Sequence, residues 1–299
     1  MAKTLSQSTR QRVALTLGQW RHWQTPNPLQ RAPRISRQLD DGVSNTSILV
    51  ATEDQPFVVR LDGVDTRSHS LNRQVEWKTL REASRQGLAP QPVYLNPELG
   101  VLVCEYLSPD DNQQQTEDDV ANLLMRIHCL PAVHHRIDLS QRIRQYVHQL
   151  EARQPGISQT LSTLTQLTER ILQQAEQGDA ELVVCHNDLH SANRLRSHGA
   201  LYALDWEYSG MGHRWFDLAA VCECDVEGIE ADKLLTAYLA RGANSQEREL
   251  LLRFRLCYRY LTWLWYAVCG NRPIRESELA TLTSTLTPAL VEVLQGSPN

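Results

Sequence analysis

His186-Asn187-Asp188-Leu189-His190-Ser191-Ala192-Asn193 decides what kind of fold this chain builds. The stretch follows Leu182-Val183-Val184-Cys185, an apolar run short enough to be a buried strand, and its polar residues cannot continue that strand. Asp188 and Asn193 stand five residues apart, and Asp205 follows twelve residues later, at the end of a second apolar run, Leu201-Tyr202-Ala203-Leu204. Phosphoryl transfer asks a protein for an oriented base and for oxygen ligands that hold Mg²⁺ against the phosphates. A carboxylate, a carboxamide and a second carboxylate at strand ends supply that set. Singly, each is a residue that loops use to cap helices or close turns. Together, beside two short strands, they point to chemistry. His186 and His190 are four apart, a zinc spacing on a helix, but no Glu completes H-E-x-x-H and the segment reads as loop, which argues against zinc.

Outward from this loop the chain changes character twice. Residues 1–34 read as an N-terminal extension, with a polar helix around Val13–Trp23 and a linker carrying Pro26, Pro28 and Pro33. Residues 35–107 read as a small β-rich lobe. Ser47–Ala51, Phe57–Leu61, Pro92–Leu95 and Val101–Tyr106 are its strand runs, and a helix over 68–86 ends near Gly87. Residues 108–299 begin with a polar linker and continue as a larger, mainly helical lobe. Helices are expected over 117–129, 138–152, 158–177, 216–224, 230–241, 245–269 and 276–294, around the two strands that flank the loop. The fold class expected from this order is α+β, a small β-rich lobe followed by a helical one.

Composition bounds the function. The chain has 299 residues and a formal net charge of −5, which argues against a general nucleic-acid binder. Its seven scattered cysteines suit free thiols in a reducing cytoplasm. No apolar core of a signal peptide opens the chain, and the most apolar stretch, Leu256 to Gly270, is too short for a bilayer and contains Arg259. The expected partner is a small-molecule substrate, not a nucleic acid or a membrane. Lysine occurs only at Lys3, Lys78 and Lys233.

His186-x-Asp188-x₄-Asn193 followed by Asp205-Trp206-Glu207 resembles the catalytic and metal-binding motifs of the choline kinase and aminoglycoside phosphotransferase superfamily, whose fold is two-lobed and protein-kinase-like. Cys185-His186-Asn187-Asp188, Asp205-Trp206-Glu207-Tyr208 and Phe216-Asp217-Leu218-Ala219 are closest to its choline/ethanolamine kinase branch. The resemblance implies ATP and Mg²⁺ as cofactors. It implies Asp188 as catalytic base, His186 as a brace of the loop, Asn193 and Asp205 as Mg²⁺ ligands, and Glu207 beside a second metal or the substrate. It implies that Asp217 anchors the helix behind the loop, although a carboxylate at a helix N-terminus is also favoured by the dipole alone.

On the nucleotide side the chain carries no G-x₄-G-K-[ST]. Gly42-x-Ser44-Asn45 is by residue preference a hairpin turn, and it resembles the nucleotide loop of choline kinases. Phe57-Val58-Val59-Arg60 occupies the place of the protein-kinase V-A-I-K strand, with Arg60 where a lysine would stand. Choline and thiamine kinases resemble this pattern. The implied roles are Arg60 on the α/β-phosphates, Glu76 as its partner, and Glu105 and Leu107 in a hinge whose backbone meets adenine.

For the acceptor, the helix carrying Tyr258, Tyr260, Trp263, Trp265 and Tyr266 is rich in aromatics, which either pack a core or cage a quaternary ammonium by cation–π attraction. Trp265 and Trp263 resemble the choline-kinase aromatics, and Trp206 and Tyr208 are further candidate walls. Choline or ethanolamine is the expected substrate, with thiamine and an aminoglycoside or sugar as alternatives. For an aminosugar the acidic residues Glu223, Asp225, Glu227 and Glu230 would line the pocket. A nucleotide-binding pseudokinase is the non-enzyme alternative, and it would show a broken Asp188, Asn193 or Asp205, all of which are intact.

Overall fold

The computed structural model describes residues 6–39, 45–53, 55–63, 71–178, 181–225, 228–270 and 272–295. In chain order its strands are β1 (Arg34–Gln38), β2 (Asn45–Ala51), β3 (Pro56–Asp62), β4 (Pro92–Asn96), β5 (Val101–Glu105), β6 (Val183–Cys185), β7 (Arg194–Ser197), β8 (Ala200–Ala203) and β9 (Gly210–Gly212). The chain divides into two compact units, Met1–Gln113 with Leu195–Glu207, and Gln114–Arg194 with Tyr208–Asn299.

The first unit is built on an antiparallel sheet in the order β1-β2-β3-β5-β4. Period-2 alternation explains why these segments pair. Ile48 and Val50 of β2 lie opposite Val59 and Phe57 of β3, and Val59 lies opposite Val103 of β5; all are buried. Helix α2 runs Arg73–Arg85 from an Asn72 cap, whose side chain accepts from the backbone N–H groups of Gln74 and Val75, and it buries Glu76, Leu80 and Ala83 on one face. It starts five residues later than its apolar pattern suggests, because Asn72 supplies the stop that sets the first turn.

The segment expected as an extension is part of this core. Helix α1 (Gln7–Gly18), capped by Ser6, is followed by one tight turn at Trp20–His22. Val13 and Trp23 belong to the sheet's hydrophobic cluster, with Trp23 edge-on to Phe57 at 5.5 Å between ring centroids and stacked on Tyr94 at 6.3 Å. Arg12 donates to three backbone carbonyls, Leu99 at 2.7 Å, Asp62 at 2.9 Å and Gly100 at 2.6 Å. Gly100 is favoured there: its φ is +57° and a Cβ would come within 2.8 Å of the Arg12 guanidinium.

The boundary expected at 107/108 also differs. The first unit continues to Gln113 and takes back residues 195–207, because hydrogen bonds tie the β7–β8 hairpin to it. Asp110 N–H donates to the Arg196 carbonyl at 2.9 Å, Ser197 Oγ to the Ser108 carbonyl at 2.7 Å, and Ala203 N–H to the Leu88 carbonyl at 2.8 Å.

The second unit is mainly helical: α3 (Glu117–His128), α4 (Leu139–Arg153), α5 (Ile157–Gly178), α6 (Arg214–Cys224), α7 (Ala231–Leu239), α8 (Ser245–Cys269) and α9 (Glu276–Gln295). Reciprocal caps open two of them, Thr116 with Asp119 at α3 and Asn244 with Glu247 at α8. Helix α6 is buried from Trp215 to Cys222, the pattern of a helix enclosed on all sides. Strand β6 pairs with β9, whose Gly-Met-Gly sequence carries no strand signal. Gly210 is needed for close approach, since a Cβ would meet Ile137 at 2.9 Å and the His135 carbonyl at 3.0 Å. No described helix is long and apolar enough to cross a membrane.

Trp23→Ala tests whether the N-terminal segment is integral to the first unit. It should cost about 3–5 kcal/mol, the range for a buried tryptophan truncation, in urea unfolding followed by circular dichroism. A change below about 1 kcal/mol, that of an ordinary surface substitution, would mark the segment as an appendage.

Candidate active site

Two guanidiniums and four carboxylates form one charged cluster in the first unit. Arg60, at the centre of β3, lies 2.5 Å from Glu76 and 3.8 Å from Asp62, and it also binds Asp205. Arg73, in the first turn of α2, lies 2.7 Å from Glu76, 2.7 Å from Asp62 and 3.2 Å from Glu207. Arg60, Arg73, Glu76 and Glu207 are all buried. Burial opposes the charge on Arg60, yet Glu76, Asp205, Glu207 and Asp62 outweigh it and hold the guanidinium more firmly protonated than usual. With every group ionised the cluster carries a formal charge of −2. Glu207 shows the strain: burial first, and Asp205 second, push its carboxyl up to about 7 against the pull of the two arginines. A divalent cation relieves exactly such an excess, so the donor set fits one.

Asp205 sits at φ +57°, a left-handed conformation uncommon for a non-glycine residue, and its carboxylate is held by Arg60 and by Asn45 Nδ2 at 3.2 Å. Asn45, expected at the phosphates, is thus the first residue of β2 and a partner of Asp205. Arg60 is committed to carboxylates. Gly42 and Ser44 lie outside the described residues. The Glu105 side chain accepts from Gln91 N–H at 2.8 Å and serves the sheet end, and Leu107 follows β5, half-buried.

In the second unit the loop is pinned from below. Asp217 on α6, fully buried, accepts from the backbone N–H of His186 at 2.8 Å and of Asn187 at 2.5 Å. Its third partner is His128 Nε2 at 3.2 Å, whose Nδ1 meets the Tyr238 hydroxyl at 2.7 Å. Asn187 takes φ +65°, tolerated by asparagine, and donates through Nδ2 to the Tyr208 carbonyl at 3.0 Å. His186 is wholly buried, so its place in the loop is structural. Asn193 Nδ2 donates to the Asp188 carbonyl and to Asp188 Oδ2, both at 2.9 Å, and His190 Nε2 lies 3.7 Å from the same carboxylate oxygen. The five-residue spacing therefore folds base candidate and carboxamide back onto each other. Ligand atoms of His128, Cys185 and Asp217 lie within 4.8 Å of one another. Burial pushes the Cys185 thiol far up, away from the thiolate that binds metal, and Asp217 is spent on the loop.

The aromatic face of α8 stands near Asp188. Burial raises the Tyr258 and Tyr266 phenols, and the Asp188 charge adds to both. Tyr258 meets Cys224 Sγ at 3.2 Å, and Trp265 Nε1 donates to the Tyr208 hydroxyl at 2.8 Å. Tyr258 and Trp265 are seven residues apart, two turns, and share a face, with Tyr266 about 80° to its side. Trp263 points about 160° away from Trp265 and about 60° from Tyr266. Trp206 is no pocket wall; 1% exposed, it bonds the Ala203 carbonyl in the first unit.

The acidic residues that would serve an aminosugar are occupied. Glu223 pairs with Arg255 and Arg259, Asp225 with Arg194 at 2.7 Å, and Glu230 with Lys233 at 2.7 Å. Glu227 lies outside the described residues. Arg73 and Asp62 escaped the sequence reading as site residues, and Asp225 entered it only among the aminosugar candidates. The one visible hint was the i,i+3 spacing of Arg73 and Glu76 on a helix.

Residues 36–252 match the phosphotransferase enzyme family. Protein LicA of Haemophilus influenzae is 28% identical over 244 residues, 76% of this chain and 71% of that protein. Thiamine kinase of Shigella boydii serotype 4 is 29% identical over 262 residues, 82% of this chain and 87% of that protein. Choline kinase LicA from Streptococcus pneumoniae shares the fold at TM-score 0.66 and 20% identity, covering 85% of this chain and 94% of its own. A LicA structure in complex with AMP gives 0.67 and 20%, over 88% and 92%. The family spans well over half of the chain, and the fold of these neighbours is protein-kinase-like, as the motifs implied: the chain belongs to the phosphotransferase enzyme family and is a small-molecule kinase.

Proposed function

We propose that the enzyme transfers the γ-phosphoryl group of ATP to the hydroxyl of a small cationic alcohol, with choline or ethanolamine as the first candidates. One observation carries this reading. The Asp188 carboxylate is oriented by Asn193, and its charge is felt along the aromatic face formed by Tyr258 and Tyr266, while the neighbouring carboxylates Glu223 and Asp225 are neutralised by arginines. A polycationic aminosugar needs free carboxylates; an alkylammonium alcohol needs aromatic faces. Thiamine, also a cationic alcohol, is the second reading, favoured by the thiamine kinase match over 82% of the chain.

In this reading the substrate oxygen attacks the γ-phosphorus as its proton passes to Asp188, the bond from the γ-phosphorus to the β,γ-bridging oxygen breaks, and ADP leaves. Asn187 and Asp217 hold the loop so that the carboxylate need not reorganise. Asp205, Glu207 and Asn193 are the proposed Mg²⁺ ligands, and the ion, when bound, neutralises charge developing on the transferred group. Arg60 with Glu76 orients Asp205. The seven free thiols and an ATP donor suit a cytoplasmic setting.

ADP release, measured with Mg²⁺ and ATP against choline, ethanolamine, thiamine, methylthioribose and an aminoglycoside, tests the proposal. Turnover should be fastest with a cationic alcohol. No turnover with any alcohol alongside intact ATP binding would sink it, and an aminoglycoside as best substrate would overturn the acceptor class. Asp188→Ala should lower kcat by about 10²–10⁴-fold, the range of a lost general base, with ATP affinity within about twofold by calorimetry. Near-normal turnover in that variant would remove Asp188 from the role of base.

A further inference from the structure

Helix α6 touches the catalytic loop twice. At its start Asp217 takes the backbone of His186 and Asn187. At its end Asp225, the residue that closes the helix, takes the other side of the loop: Oδ1 accepts from Ser191 N–H at 3.0 Å, and Oδ2 accepts from Arg194 at 2.7 Å. The eight-residue step from Asp217 to Asp225 spans about 12 Å of helix, a rigid gauge for the loop that runs over it.

Arg194 completes the second contact. The same Nη1 donates to the Leu189 carbonyl at 2.9 Å, and Nε donates to Gln115 Oε1 at 2.6 Å. One planar guanidinium therefore joins the residue after Asp188, the residue after Asn193, the end of α6 and the segment before α3. The side chains are 2% exposed for Arg194 and 4% for Asp225, so this is a desolvated pair with its donors and acceptors directed. A neutral aliphatic side chain would fill the same space without desolvation cost. An ion pair retained under that cost suits a demand for one loop geometry.

Resting on the reading that Asp188 is the base and Asn193 a metal ligand, we propose that Arg194 and Asp225 are positioning residues that set the Asp188–Asn193 geometry through the loop backbone. They do not touch the acceptor or the nucleotide. Their loss should therefore appear in turnover and in metal dependence, and leave substrate affinity alone.

Two variants and two readouts test this. Arg194→Lys keeps the charge opposite Asp225 but cannot span Leu189 and Gln115 at once. Asp225→Asn keeps an acceptor for Ser191 N–H but removes the charge that holds Arg194. Each should lower kcat by about tenfold or more, the size of one lost charge-assisted hydrogen bond. KM for ATP and for the acceptor should stay within about twofold of wild type while kcat falls, as expected for an interaction made in the transition state, and half-saturation by Mg²⁺ should rise several-fold because Asn193 is held less well. Hydrogen exchange of the peptide spanning residues 186–197 should quicken in both, with exchange in α8 unchanged. Wild-type kcat in folded Arg194→Lys, or unchanged exchange in that peptide, would overturn the proposal. Because Arg194→Lys preserves the buried charge balance, it is the arm expected to fold should Asp225→Asn fail. If wild-type enzyme turned over no alcohol, the functional reading would fall, and the exchange measurement would still decide the positioning role.

Discussion

The excess of buried negative charge beside β3 and α2 is the constraint on which the rest of the first unit depends. Four carboxylates meet two guanidiniums, and neither guanidinium can be removed without leaving carboxylates unpaired in a desolvated place, at a cost of about 3–5 kcal/mol. The arrangement fixes the side chain of Arg60 in mid-sheet, the first turn of α2 and the backbone of Asp205 in its left-handed conformation. It does not neutralise itself. Glu207, raised to about 7, records the imbalance. Arginine in place of the lysine of protein kinases suits this geometry, because one fork reaches Glu76, Asp62 and Asp205 together.

The second unit solves a different problem with the same chemistry. The loop buries Leu189 next to Asp188, and its backbone is held as well. Buried Asp217 takes two consecutive N–H groups, and Asn187, bent to a positive φ, returns a bond to Tyr208. Strand β6, seated against the two glycines of β9, delivers the chain to that point. Asp188 and Asn193 stay half-buried, and of the aromatic residues on α8 Tyr258 is buried and Tyr266 exposed.

Much of this was legible in the chain. The spacing of Asp188, Asn193 and Asp205, the strand carrying Arg60 and the long helix α8 all read directly, because period and motif are local properties. Long-range closure was not. Residues 1–34 read as an extension because the pattern of α1 is weakly amphipathic; Val13 and Trp23 declare themselves only once Phe57 and Tyr94 are in place. Strand β9 hid because a close approach demanded glycine where a strand former would be expected. Trp206 was assigned by its neighbours in sequence, whereas a bond to Ala203 sends it elsewhere. Asp225 read as one of the acids for an aminosugar, and only the fold shows Arg194 beside it.

The central claim is that the surplus charge at Asp205 and Glu207 is a seat for Mg²⁺ carried on nucleotide phosphates. Calorimetric titration of a non-hydrolysable ATP analogue, with and without Mg²⁺, into wild-type, Asp205→Asn and Glu207→Gln proteins measures this directly. Mg²⁺ should tighten binding to the wild-type protein by about tenfold or more, and that gain should vanish in Asp205→Asn and shrink in Glu207→Gln. An equal gain in all three proteins would contradict the account.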